Sequence, residues 1–274
     1  MLASSERLLK GKRILVTRAK EQASSFSKKI QSLGGVPIEI PLIKIEAPSN
    51  TDQIEKTLIN LHTYDWLVFT SVNGVHYFFQ FLEQFDIPIK NTQEKPKIAV
   101  VGKKTLEALE KKGVKVDLIP DEFVAEDLLT KMLLQVKKGD NVLLARGNLA
   151  RSLLPEKLKE AGARVNDLVV YETVVNMEAR AELLEILKLR SCDLIAFTSS
   201  STVTNFCSLL KGADIEALLK NIKIACIGPI TEQTALESGL KVDIVAKEYT
   251  IDGLLEAIVR SFDDGDENGR NIDE

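Results

Sequence analysis

Two domains of ordinary size fit in 274 residues, and a hydrophobic content of 45% supplies a core for each. Aromatic residues make up only 5%, so those cores are mostly aliphatic. A formal net charge of −4 excludes a general nucleic-acid binder and leaves any anionic ligand to be drawn by local cations rather than by the overall field.

The residues before Gly11-Lys12-Arg13 hold no apolar signal segment. Ile14-Leu15-Val16 reads as a strand, followed by a helix through Phe26 and Ile30 that stops at Gly34-Gly35. Val36 to Ala47 is an extended apolar run punctuated by Pro37 and Pro41, which rule out a central strand. Leu67-Val68-Phe69 is a strand, and Val75, Phe78, Phe79 and Leu82 then mark one helical face. Ile98–Val101 is a strand, and the helix over Leu106 and Leu109 ends at Gly113. Val116–Ile119 and Val142–Leu144 are further strands, with helical patterns around Leu128–Val136 and Leu153–Ala161. Arg164 to Val175 is a second extended run, containing Leu168-Val169-Val170-Tyr171. Leu194–Phe197, Ile224–Ile227 and Val242–Val245 are strands, each followed by a helix. Alternating strands and helices of these lengths predict an α/β fold, with parallel sheets flanked by helices on both faces. No stretch approaches the roughly 18 apolar residues of a membrane span. The acidic, Gly/Asn-rich tail 263–274 reads as disordered.

The chain repeats itself once. Lys97-Ile98-Ala99-Val100-Val101-Gly102-Lys103-Lys104-Thr105 returns as Lys223-Ile224-Ala225-Cys226-Ile227-Gly228-Pro229-Ile230-Thr231, an offset of 126 (223 − 97). Asp65-Trp66-Leu67-Val68-Phe69-Thr70-Ser71 returns as Asp193-Leu194-Ile195-Ala196-Phe197-Thr198-Ser199, an offset of 128 (193 − 65), and Arg13–Arg18 returns more loosely as Asn141–Arg146. This period is far longer than the roughly 20–50 residues of a solenoid repeat. It marks a duplicated half-protein, an arrangement that usually leaves a cleft between the halves. The repeat leaves open whether the halves are consecutive domains or exchange their first βα units. The runs 36–47 and 164–175 are longer than ordinary αβ loops. They are either a paired interdomain connector or an edge strand of each domain.

Familiar catalytic motifs are missing. No GxGxxG follows the first strand, where Thr17-Arg18-Ala19-Lys20 stands instead, and no GxxxxGK[ST] or GxSxG occurs. His62 and His76 have no evident metal or triad partners, and no metal site is expected. Cys192, Cys207 and Cys226 form no CxxC pair and read as buried reduced thiols, as in cytoplasm. What remains gathers where strands end and helices begin, the ligand-binding edge of open α/β sheets. Arg18, Ser71, Gly102, Thr105, Arg146, Gly147, Ser199, Gly228 and Thr231 all follow a strand's carboxyl end. Free N–H groups and the helix dipole at such positions favour carboxylates. Simple N-caps for the serines, and first-turn hydrogen bonding for the threonines, are the plainer alternatives. Arg146 and Arg151 flank the turn Gly147-Asn148-Leu149-Ala150, an arrangement suited to meeting carboxylates bidentately. Lys103 and Lys104 add positive charge at another strand end. Tyr171, one of four tyrosines, is either a packed strand residue or a phenol able to donate to a leaving oxygen.

Val-Thr-Arg at 16–18, Phe-Thr-Ser-Val-Asn-Gly-Val at 69–75, Val-Gly-x-x-Thr at 101–105, Arg-Gly-Asn at 146–148, Val-Tyr-Glu-Thr at 170–173 and Ile-Gly-Pro-x-Thr at 227–231 together resemble the uroporphyrinogen-III synthase family, over about residues 11–259. The resemblance implies two flavodoxin-like lobes joined by a two-stranded antiparallel linker. One lobe would hold 1–36 and 177–262, the other 48–163, with 37–47 and 164–176 as the linker strands. It implies closure of linear hydroxymethylbilane to uroporphyrinogen III in tetrapyrrole biosynthesis, with inversion of the last pyrrole ring, loss of water and no cofactor. Tyr171 matches the family's candidate for assisting hydroxyl departure. Thr105 and Thr231 match threonines that line the cleft, and Ser199 matches more loosely. A cytoplasmic monomer in transient contact with the preceding pathway enzyme, bound to neither nucleic acid nor membrane, completes the expectation. The competing readings are a non-catalytic two-lobed sensor of a small anion and a nucleotide-dependent transferase, the latter disfavoured by the missing glycine loops.

Overall fold

The computed structural model describes residues 8–18, 20–88 and 96–267. In chain order the first elements are β1 (Arg13–Val16), α1 (Lys20–Ser32), β2 (Val36–Glu39), β3 (Ile43–Glu46), α2 (Asp52–Ile59), β4 (Trp66–Phe69), α3 (Val72–Gln84), β5 (Lys97–Val100) and α4 (Lys103–Glu110). There follow α5 (Ala125–Leu133), β6 (Asn141–Gly147), α6 (Leu153–Glu160), β7 (Arg164–Val175), α7 (Ala179–Lys188), β8 (Leu194–Phe197) and α8 (Ser200–Leu209). The last are α9 (Ile215–Leu219), β9 (Lys223–Cys226), α10 (Pro229–Glu237), β10 (Ile244–Val245) and α11 (Ile251–Glu267). Gly34 at φ 82° and Gly113 at φ 73° follow α1 and α4, where a left-handed residue ends the helix without a Cβ clash.

The chain forms two compact units, Met1–Lys44 with Val174–Glu274, and Ile45–Thr173. One five-stranded sheet has the order β10-β9-β8-β1-β2, the other β3-β7-β6-β4-β5. The ladders β1–β2, β1–β8, β8–β9 and β9–β10 are parallel, as are β4–β5, β4–β6 and β6–β7. The question the repeat left open is answered by β1, which pairs with β8 and so carries the first βα unit into the sheet of the C-terminal strands. Its register is the repeat's own. Ile14 faces Leu194 as Val142 faces Trp66, each residue displaced by 128 (142 − 14, 194 − 66).

Repeated aspartates fix the amino ends of these strands. Asp193 accepts from the Arg13 amide at 2.7 Å and Asp65 from the Asn141 amide at 2.8 Å. Asp117 accepts from Ile98 at 2.8 Å and Asp243 from Ile224 at 2.9 Å. Each satisfies an amide that the ladder leaves open.

Both sheets bury both faces, as parallel sheets do. In the first unit Leu15, Ile195, Phe197 and Ile224 point into one core with α7, α8 and α10. Ile14, Val16, Leu194 and Ala225 point into the other with α1 and α11. In the second unit Leu67, Phe69, Val100 and Leu143 pack with α2, α3 and α4, while Trp66, Val68, Ala99 and Val142 pack with α5 and α6. Each large buried side chain contributes about 1.5–3 kcal/mol.

Four sequence expectations are refined. The run 36–47 is two strands, with β2 at the edge of the first sheet, where Pro37 lacks only an edge donor, and β3 beside β7. The amino-terminal part of β7 is an ordinary strand against β6. Val116–Ile119 reduces to a single bridge, Ala99 with Leu118. The tail continues α11 to Glu267, because Leu254, Leu255, Ile258, Val259 and Phe262 anchor the helix that enters it; 268–274 lies outside the described residues. All three thiols are free. Burial pushes Cys192 up to about 11 and Cys226 up to about 12, so both are protonated near neutral pH. No helix among the described residues is long and apolar enough to cross a membrane.

Candidate active site

The carboxyl ends of β4, β5, β6 and β7 enclose a cavity of about 480 Å³ within the second unit. Ser71, Arg146, Gly147, Arg151 and Tyr171 all line it, so five of the expected site residues share one space.

Tyr171 is placed by a bulge. β6 and β7 run in step from Asn141↔Arg164 to Arg146↔Val169, and the register then skips so that Gly147 faces Tyr171. Such a skip re-aims a side chain. Gly147 is required beneath the phenol: a Cβ there would lie 2.5 Å from Tyr171 Cζ and 2.8 Å from its hydroxyl. The ring also stacks on Tyr77, with centroids 5.9 Å apart and planes at 24°. Tyr77 is itself fixed by donating to the Ile45 carbonyl at 2.9 Å. Desolvation, aided by Glu46, raises the pKa of Tyr77, so it stays a neutral donor.

The Tyr171 hydroxyl lies 3.1 Å from Ser71 Oγ. Ser71 is also the N-cap of α3, its Oγ accepting from the Gly74 amide at 3.0 Å. The plainer reading of Ser71 as a cap is therefore correct, and the same atom reaches the phenol. Gly74 lets α3 start close against β6, since a Cβ would stand 2.8 Å from the Ala145 carbonyl.

The Arg-Gly-Asn run has a mechanical explanation. Arg146 is buried, at 7% exposure. Its Nε and Nη2 donate to the two carboxylate oxygens of Asp167, and its Nη1 donates to the Arg151 carbonyl. Its fork thus clamps the 147–151 turn to β7, although its sequence position suggested an outward carboxylate contact. Asn148 extends the ladder with its side chain: Oδ1 accepts from the Thr173 amide at 2.9 Å and Nδ2 donates to the Thr173 carbonyl at 3.4 Å. Arg151 is exposed and donates to Glu126 at 2.7 Å on the cavity rim. That bond is the main cause lowering the Glu126 pKa.

The remaining predicted residues occupy other strand ends. Gly102 is the N-cap of α4 and Thr105 lies buried in its first turn; neither lines the cavity. In the first unit Arg18 follows Thr17, whose Oγ1 donates to the Ala196 carbonyl at 3.1 Å. Ser199 caps α8, accepting from the Thr202 amide at 3.3 Å. Gly228 precedes α10 in an extended conformation, and Thr231 is buried in that helix's first turn.

Sequence reasoning missed Tyr77, Asp167 and Phe123, the first two because no motif contains them. A signal for Phe123 existed. Phe123-Val124-Ala125-Glu126-Asp127-Leu128-Leu129 matches Tyr249-Thr250-Ile251-Asp252-Gly253-Leu254-Leu255 at the same 126-residue offset (249 − 123). Tyr249 stands over Gly228, where a Cβ would come within 2.9 Å of its ring.

Comparison with known proteins gives a consistent picture. The family model described as uroporphyrinogen-III synthase HemD matches residues 24–256. A uroporphyrinogen-III synthase of Synechococcus elongatus is 36% identical over 259 residues, spanning 93% of this chain and 97% of that protein. A putative uroporphyrinogen-III synthase of Methanocaldococcus jannaschii is 29% identical over 90% of this chain and 97% of its own length. In fold, the chain is similar to a mutant uroporphyrinogen III synthase of Thermus thermophilus, with a TM-score of 0.52 and 21% identity over 93% of this chain and 100% of that one. It is also similar to uroporphyrinogen-III synthetase of Helicobacter pylori, with a TM-score of 0.51 and 19% identity over 92% and 99% of the two chains.

Proposed function

The chain belongs to the uroporphyrinogen-III synthase family, and from that membership we propose that it cyclises linear hydroxymethylbilane to uroporphyrinogen III, inverting the last pyrrole ring and releasing water. The observation that carries the reading is family likeness over nearly the whole chain, joined to a phenol held at a strand-end cavity.

Tyr171 is the group we assign to the departing hydroxyl. Its O–H donates to the hydroxymethyl oxygen as the C–O bond breaks and water leaves; loss of the pyrrole N–H proton gives the azafulvene, and that proton replaces the one the phenol gave. Attack by the substituted carbon of the last ring then gives a spiro intermediate, which fragments and recloses with that ring inverted. Gly147 and Tyr77 support the role by packing against the phenol, and Ser71 by bonding its oxygen. Unassisted closure gives the uninverted isomer, so the protein acts mainly by holding a flexible polyanion in one geometry.

Arg151 and the helix starts at Ser71, Gly102, Ser199 and Gly228, with Arg18, are the proposed contacts for substrate carboxylates. Thr105 and Thr231 shape the starts at Gly102 and Gly228, Gly147 contributes to the substrate site beneath the phenol, and Arg146 acts by holding the 147–151 turn. The units are read as two flavodoxin-like lobes, with β3 and β7 as the antiparallel linker; both chain crossings between units fall in these neighbouring strands. A cytoplasmic monomer receiving substrate by transient contact with the preceding enzyme fits this role.

The test is an isomer assay. Purified protein given hydroxymethylbilane should yield mainly the type III macrocycle. Type I alone would remove the proposal, and binding without turnover would favour an anion sensor.

A further inference from the structure

Phe123 stands out on three independent counts. It is a bulky residue at φ 51°, in the left-handed region that non-glycine side chains seldom occupy. It is 40% exposed in a chain whose other phenylalanines are mostly in the cores. It also lines the cavity that contains Tyr171 and Ser71.

The loop that carries it is built rather than slack. Asp127 accepts from the Asp121 amide at 2.6 Å and from the Glu122 amide at 3.1 Å. Lys131 donates to the Ile119 carbonyl at 3.1 Å and to Asp121 at 2.6 Å. These bonds fix both sides of the turn that forces Phe123 outward. A strained, over-determined aromatic beside a reactive group is a pattern expected at functional sites. Val124 and Leu149, also exposed at 41% and 74%, line the same cavity, so its wall is apolar where nothing in the unit covers it. The duplication adds a further sign. The equivalent residue in the other unit is Tyr249, again a large aromatic and again exposed, at 66%.

We propose that Phe123 is a substrate-positioning residue: its ring, with Val124 and Leu149, forms the apolar wall on which one pyrrole ring of the substrate stacks, leaving that ring's acetate and propionate groups toward Arg151. A pyrrole has an electron-rich face and two carboxylate arms, which matches an aromatic wall with a cation at its rim. The volume of about 480 Å³ lies within the usual range of small-molecule sites. The inference rests on the synthase reading given above.

Steady-state kinetics on hydroxymethylbilane, with product isomers separated, tests it. Phe123→Ala should raise KM about tenfold with kcat within about twofold, because stacking orders the substrate without taking part in bond breaking. Phe123→Tyr should restore the wild-type KM, and Phe123→Leu should fall between. Should Phe123→Ala fail to fold, Phe123→Gly, which adopts φ 51° without strain, gives the same reading. A KM for Phe123→Ala within about twofold of wild type overturns the assignment while the synthase reading stands. A wild-type protein that makes no type III product overturns both.

Discussion

Tyr171→Phe separates the chemical role of the phenol from its packing. The substitution removes one oxygen and keeps the ring against Gly147 and Tyr77. The lost contact is the 3.1 Å bond to Ser71, a neutral hydrogen bond with a net contribution of about 1 kcal/mol. Ser71 keeps its bond from the Gly74 amide at 3.0 Å, so the cap of α3 survives. Melting temperature should therefore fall by only about 2–4 °C. Loss of a general acid costs about 10²–10⁴ in rate. The lower end applies here, because hydroxymethylbilane also loses its hydroxyl unaided. A drop of about 10² in kcat corresponds to about 2.7 kcal/mol in the barrier. That exceeds the stability change, and a protein still folded at the assay temperature cannot lose activity by unfolding. The assay is turnover at about 25 °C with type I and type III products separated, alongside thermal melting. The expected result is slow turnover, a larger type I fraction and near-native melting. Unchanged turnover and isomer ratio would refute the role of Tyr171.

Gly147→Ala places a Cβ 2.5 Å from Tyr171 Cζ, on a ring already packed against Tyr77. Overpacking of about 1–3 kcal/mol should appear in melting, with activity reduced at least as far as in Tyr171→Phe. Asp167→Asn strands the Arg146 guanidinium in a buried place, while Arg146→Ala leaves Asp167 one-third exposed and able to hydrate. Asp167→Asn should therefore cost about 3 kcal/mol and exceed Arg146→Ala in chemical denaturation. If Arg146→Ala instead raises KM without changing stability, the arginine meets substrate and the clamp reading is wrong. The Asp193 carboxyl is held below its ordinary range, first by the Arg13 side chain, and also by the Arg13 amide. A depressed folded pKa contributes stability above the unfolded value, about 3.9, that is lost as pH falls through the folded value. Melting temperature should therefore drop on acidification below about pH 4, and Asp193→Asn should flatten that limb; equal slopes for the two proteins would remove the linkage.

Much of the site was legible because its residue types follow from local geometry. A strand that ends in Thr-Ser before an amphipathic run caps the helix with that serine, as Ser71 and Ser199 both do. A Gly-x-x-Thr start buries the threonine in the first turn, as Thr105 and Thr231 show. Arg146 was half legible. Its position between a strand and a glycine turn is in the sequence, but its partner Asp167 is 21 residues away on a neighbouring strand. Nothing local to either residue records that they meet. Phe123 was legible only through the repeat, as the match to Tyr249; its exposure depends on Asp127 closing the loop behind it.

Reading along the chain was enough for the βα alternation, the duplication and the strand-end clustering, because each depends on short-range periodicity or on identity between two stretches. The family resemblance added the chemistry. That β1 joins β8 was implied by the family resemblance but not by the residues alone, since the two halves carry nearly equal strand signals. The pairing itself with its register needed the folded molecule, because it depends on which apolar faces stack on both sides of a sheet. So did the direction in which Tyr171 points. A bulge at Gly147 shifts the register by one residue, and that shift belongs to two strands together rather than to either chain segment alone.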